Sequence, residues 1–382
     1  IQATREARAR LAARTLVDET RVMLATARRA RGTSVDDLLT AAAAHRAAEE
    51  ALAHLPGDDA QTLLAAETDL AERRREVLTR LVPALLAAGR APDAIAHARD
   101  LDRVAPSWRA RAGLIAALTR VADHRVEAHR LALLMAEDLA RTPDPDAQRA
   151  ACDALLTLNR PLDAARALEG ATRPDLILLR GRARLAAADA AGAEAAAAVA
   201  DPVERAVLYA GAATALGRPA DALAALEATR REGGARSPWH AARADALGTQ
   251  RPGEALATFA TALSLAKSAE AKAEVRAARG RLQLRRGRFS GALADLDGPG
   301  SRLEAAVAAW SAGGNDDAFV AALDGIVRAV DAFEVPPHVG AAARRWRANT
   351  PPEPATVARG LQRQARLLLP GAAKDEALRA RC

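Results

Sequence analysis

Five arginines, Arg279, Arg281, Arg285, Arg286 and Arg288, fall within ten positions of the run RGRLQLRRGRFSGALADL, residues 279–296. Fixed positive charge at that density can neutralise phosphates or form paired hydrogen bonds with carboxylates. Other chemistry-bearing residues are sparse. His124 and His129 stand five apart, about 140° round a helix. They cannot share a metal, as an i,i+4 pair could. Cys152 and Cys382 have neither metal-ligand spacing nor the numbers of a disulfide framework. No glycine-rich loop of the P-loop or dinucleotide type is present, and Asp297-Gly298-Pro299-Gly300-Ser301 reads as a plain turn. Asp316 and Asp317 fall in a corner, where the helix dipole accounts for them. The expectation is no catalytic residue, no metal site and no cofactor.

The elements that carry these residues are helices. Half of the 382 residues are apolar, yet only 2% are aromatic and alanine dominates. Alanine has the best helix propensity and lets helices approach closely. Runs of strand-forming residues are absent, so the expected class is all-α. The net charge is +7, and only Lys267, Lys272 and Lys374 among the 55 basic residues are lysines. A GC-rich, bacterial genome produces the same arginine and alanine excess, which weakens charge as evidence for a polyanion partner. No window reaches the roughly 18 apolar residues of a membrane span. A reducing, cytoplasmic setting is the default expectation. The chain starts at Ile1 rather than methionine, which suggests a piece of a longer protein.

Internal similarity sets the organisation. Six hexapeptides share one form and end on alanine: residues 89–94, 159–164, 217–222, 250–255, 287–292 and 313–318. Residues 123–128 and 188–193 fit more loosely. The closing alanines are spaced by 26 to 37 residues with a mean of 32, one helical hairpin per period. Gly or Asn can close the first helix in the left-handed conformation. Proline is tolerated in the first turn of the next helix, and Asp or Glu there complements its dipole. Gly280 and Gly287 then serve helix packing and the corner, Phe289 and Leu296 are expected in the core, and the five arginines are expected between them, mostly on the solvated face.

Outside the repeats, residues 1–74 are read as a connecting segment and cap: a basic helix over 2–31, a second helix capped by Ser34, and a third from about Ala60. Residues 75–334 hold about eight repeats. Residues 335–382 are C-terminal capping helices, one of them expected from Pro354 to Leu369.

Period and residues resemble the tetratricopeptide repeat family. Trp239, Ala255, Phe259 and Ala262 match four of its positions in one repeat; Gly280, Gly287, Phe289 and Ala292 match four in the next. Gly89, Ala94 and Pro106 match in an earlier one. No repeat is complete, and those of 26 and 29 residues are short for the family. The resemblance implies an α-solenoid, a right-handed superhelix of antiparallel helix pairs whose A helices line a concave groove. Transferring the family's groove positions places Arg120, Arg149, Arg182, His240, Arg281 and Trp310 there. It implies a non-enzymatic scaffold binding an extended, acidic peptide or protein, in the manner of the sensor or docking region of a larger bacterial regulatory protein. The chaperone-tail clamp of Lys and Asn is absent: Asn159, Asn315 and Asn349 lie in corners or loops. The alternative is a basic solenoid contacting nucleic-acid phosphates, for which few aromatic stacking platforms are present.

Overall fold

The computed structural model describes residues 2–30, 33–54, 57–141, 144–197, 201–248, 250–298, 301–314 and 316–348, with the side chains of 2–14, 28, 57–69, 140 and 316 excepted. The helix expected over 354–369 and Cys382 lie outside the described residues. All described elements are helical, and among the described residues there is no strand. The chain divides into two compact units, Ile1–Met135 and Ala136–Cys382. Among the described residues no helix is long and apolar enough to cross a membrane.

Unit 1 contains α1 (Gln2–Arg29), α2 (Val35–Ala53), α3 (Gly57–Ala87), α4 (Ala91–Val104), α5 (Trp108–Thr119) and the start of α6 (Arg125–Arg141). Ser34 caps α2 as expected, its Oγ accepting from the Asp37 N–H at 3.1 Å. Unit 2 repeats one motif. Its helix pairs are α7/α8 (Pro145–Thr157, Pro161–Ala167), α9/α10 (Pro174–Ala186, Ala190–Ala195) and α11/α12 (Pro202–Ala215, Pro219–Glu227). After the single turn α13 (Arg230–Gly233) come α14/α15 (Ser237–Leu247, Pro252–Leu265), α16/α17 (Ala269–Arg285, Phe289–Asp295) and α18/α19 (Arg302–Ser311, Asp316–Asp331). The helix α20 (Pro337–Ala348) follows. From α7 to α20, the single turn α13 aside, each helix packs on its sequence neighbours, as in a helical repeat.

The corners form for the reasons their residues suggest. Gly89, Asn159, Ala188, Gly217, Gly287 and Gly313, each the first residue of a corner hexapeptide, have positive φ. The N–H of the following residue reaches back five positions, as from Arg160 to the Leu155 carbonyl at 2.8 Å and from Arg218 to Ala213 at 2.7 Å. This bond closes the helix and releases the chain in a new direction. Proline opens α7, α8, α9, α11, α12 and α15, where its missing N–H had no helical partner anyway.

The closing alanines sit where the paired helices touch. Ala94, Ala128, Ala164, Ala193, Ala222, Ala255 and Ala292 are each 0% exposed. The eighth, Ala318, is exposed, and the next residue, Phe319, enters the core in its place. Ala255→Leu or Ala292→Leu is therefore expected to destabilise the protein by about 1–3 kcal/mol through overpacking. Ala318→Leu should stay within about 0.5 kcal/mol. Urea unfolding of the three variants separates the two cases, and equal effects at all three would refute the contact register.

Candidate functional site

In unit 2 one helix of each pair, the A helix, packs on the A helix of the next: α7 on α9, α9 on α11, α11 on α14, α14 on α16 and α16 on α18. Three of the arginines expected at the binding face lie along these seams, and each meets a carboxylate of the next A helix. Arg149 of α7 is 3.3 Å from Asp175 of α9, Arg182 of α9 is 3.6 Å from Glu204 of α11, and Arg281 of α16 is 3.3 Å from Glu304 of α18.

Further pairs extend the same ladder. Arg173, just ahead of α9, joins Asp146 at 3.0 Å and Asp175 at 2.7 Å. The Arg173 hydrogen bonds draw the Asp175 carboxyl down to about 2, against the opposing effect of desolvation. Arg236 reaches Asp201, the N-cap of α11, at 3.1 Å. Arg285 of α16 reaches back to Asp245 of α14 at 2.9 Å. The Arg285 and Glu304 side chains are largely buried, while the exposed pairs among these contribute about 0–1 kcal/mol each. They hold the seam in register more than they stabilise it.

The other three expected residues lie elsewhere. Arg120 of unit 1 caps the end of α3, its Nη1 donating to the Leu86 carbonyl at 2.6 Å. His240 is turned back onto the end of α13, with Nε2 2.8 Å from the carbonyl of its C-cap Gly234 and its ring edge-on to Trp239. Trp310 stacks on Phe319 at 4.8 Å and meets Trp346 edge-on at 6.0 Å, as part of the core of α18–α20. What these six residues share is helix position; Arg149, Arg182 and Arg281 alone share a seam environment.

The dense arginine run resolves into two groups. Arg279 makes two 2.7 Å hydrogen bonds to the buried Asp295 carboxylate, which raise its pKa further despite partial burial. Arg281 and Arg285 are paired as above. Arg286 and Arg288 are exposed at the corner, and among the described residues no carboxylate pairs with them. The patch is therefore smaller than its sequence implies. Gly280 is buried against Leu296, where a Cβ would come within 2.8 Å of that side chain. Leu296 is in the core as expected, while Phe289 is half-buried.

Cys152 is fully buried on α7, and burial, reinforced by Asp153, pushes its thiol up to about 12. It stays protonated at neutral pH, which removes its nucleophilicity. The seam carboxylates are not among the site residues expected from the sequence, although a signal for them is present there. An acidic residue in the first turn of an A helix follows a mid-helix arginine by 22 to 26 positions. No protein-family model matches the chain, and no curated protein matches it.

Proposed function

We propose that the chain is a non-enzymatic interaction scaffold of the tetratricopeptide-repeat type, a right-handed superhelix that takes up an extended acidic peptide or protein segment on its A helices. On this reading it serves as the docking region of a larger bacterial regulatory protein in the cytoplasm. The observation that supports the reading most is the recurrence of Arg149, Arg182 and Arg281 at one seam position in successive or nearby repeats, each held by a carboxylate of the next A helix; Asp175 and Glu204 stay in contact with solvent, while Glu304 is buried. The two exposed pairs, of Arg149 and Arg182, can exchange their carboxylates for a partner's at small cost, and the guanidinium can bind the incoming group bidentately.

The test uses a fluorescent glutamate-rich decapeptide and anisotropy. The combined Arg149→Glu, Arg182→Glu and Arg281→Glu variant is expected to weaken binding at least about tenfold. Glu204→Gln, which frees Arg182 from its own carboxylate, is expected to tighten it. Unchanged affinity in both variants would overturn the reading. The alternative, phosphate contact by the run at 279–288, is weakened by the three arginines of that run already paired to carboxylates. A single-stranded RNA oligomer bound by the native chain and lost in Arg286→Glu/Arg288→Glu would restore it.

A further inference from the structure

One contact in unit 2 joins residues 170 or more positions apart. The Asn159 amide donates from Nδ2 to the Phe333 carbonyl at 2.9 Å, and Arg160 donates from Nη2 to the Val330 carbonyl at 3.0 Å. The Arg160 guanidinium also lies over the Phe333 ring, 4.2 Å from its centroid. Both partners are helix ends of the same construction. Asn159 (φ 54°) closes α7, with Arg160 donating back to Leu155; Phe333 (φ 57°) closes α19, with Glu334 donating back to Ala329 at 2.8 Å.

The two ends belong to opposite edges of the array. Asn159 and Arg160 form the corner inside the first hairpin of unit 2, where an A helix turns into its B helix. Phe333 ends the B helix of the last hairpin, on the edge where a chain passes to the next repeat. Their meeting requires unit 2 to come round on itself, with the leading hairpin's inner corner seated on the last hairpin's trailing edge. Short B helices suit such tight winding: α8, α10 and α17 have only 6 or 7 residues.

We propose that this contact is a latch that holds unit 2 closed on itself and releases without unfolding either hairpin, allowing the row of A helices to open. The contact has the character of a reversible joint. It includes hydrogen bonds to two carbonyls and one cation–π contact, and among the described residues α7 and α8 make no extensive packing on α19 or α20. Phe333 is buried yet lies outside the apolar core of Leu303, Phe319, Leu323 and Trp346. Arg160 serves α19 as a C-terminal cap, since a cation there satisfies free carbonyls and the helix dipole. Its placement is a compromise: burial lowers its pKa against the support of Asp163 and Asp331, and Nη1 is buried without a hydrogen-bond partner among the described residues. An aromatic residue at positive φ adds a small backbone cost on the other side.

The test is a distance. Spin labels are placed through Leu162→Cys and His338→Cys, both exposed, in a full chain carrying Cys382→Ser; Cys152 is buried and unlabelled. The native chain is expected to give one short, narrow distribution. Asn159→Gly/Arg160→Ala keeps the left-handed corner and its backbone bond while deleting the latch. It should broaden and lengthen the distribution, raising the open population by about tenfold or more, with helical circular dichroism unchanged. Arg218→Ala, at the equivalent place in the α11/α12 corner, bonds only within its neighbourhood through Glu194 at 2.6 Å and should leave the distance alone. Three results would overturn the proposal. They are an unchanged distribution in the double variant, a loss of helix in that variant, or a native signal that disappears on dilution with unlabelled chain, which would place the contact between copies. The readout does not depend on peptide binding, so it stands or falls apart from the proposed function.

Discussion

Arg74→Met is expected to weaken unit 1 by about 3–5 kcal/mol, because it leaves two carboxylates without the charge they were folded around. Arg74 sits on α3 with its side chain 1% exposed, between Glu49 of α2 and Asp100 of α4, and its guanidinium bonds to both. Asp100 is itself only 10% exposed and also meets Arg103 at 2.9 Å and Arg46 at 3.4 Å. Methionine matches the stem but cannot offset either charge. Replacing all three residues, with Glu49→Gln and Asp100→Asn added to Arg74→Met, should recover most of the loss, since an uncharged set has no such debt. Urea unfolding at neutral pH followed by circular dichroism measures both. A single-variant loss below about 1 kcal/mol would mean that water, not Arg74, neutralises these carboxylates.

The same cluster sets a pH dependence. Burial raises the Asp100 pKa, but hydrogen bonds from Arg103 and Arg74 outweigh it, and the folded value lies below the ordinary 3.8. A carboxylate with a depressed folded pKa contributes stability above its unfolded value. That contribution is lost as the pH falls from about 3.8 through the lower folded value. In Arg74→Met one of the downward pulls is gone, so acid unfolding of unit 1 should begin at a higher pH than in the native chain.

Phe259→Ala is expected to cost about 3–5 kcal/mol in unit 2. Phe259 is 0% exposed on α15 and is packed with Leu247 of α14 and Val275 and Leu282 of α16. One ring thus joins three helices of two successive repeats. Its neighbours on α15, Ala255 and Ala262, are fully buried and have no side chain that can swing into the space. The cavity would remain open, which places the cost toward the upper part of that range. Phe259→Leu should lose much less. Because stability in a repeat array is a sum of neighbour terms, hydrogen exchange should accelerate most in α14–α16. A loss under about 1 kcal/mol, or a uniform acceleration across unit 2, would refute this packing.

The helices, the corners and the alanine contacts were legible in the residues because each depends on a few neighbouring positions. Glycine or asparagine at positive φ, proline at a helix start and a small residue at a close crossing act within one or two turns of chain. That locality is why Asn159 and Gly217 could be placed as helix ends, and why seven of eight closing alanines fall at buried crossings.

Electrostatic pairing was not legible in that way. An arginine on a helix face looks the same whether it meets solvent, a partner or a carboxylate one repeat later. Only the stacking of α9 on α7 and of α11 on α9 brought Asp175 to Arg149 and Glu204 to Arg182. Arg74 carried no sign of burial, since a charged residue enters a core only when two other helices deliver its counter-charges. The contact of Asn159 and Arg160 with Phe333 and Val330 lies further still from any local rule. It depends on the angles accumulated over every hairpin between them, a sum that no short stretch of sequence contains.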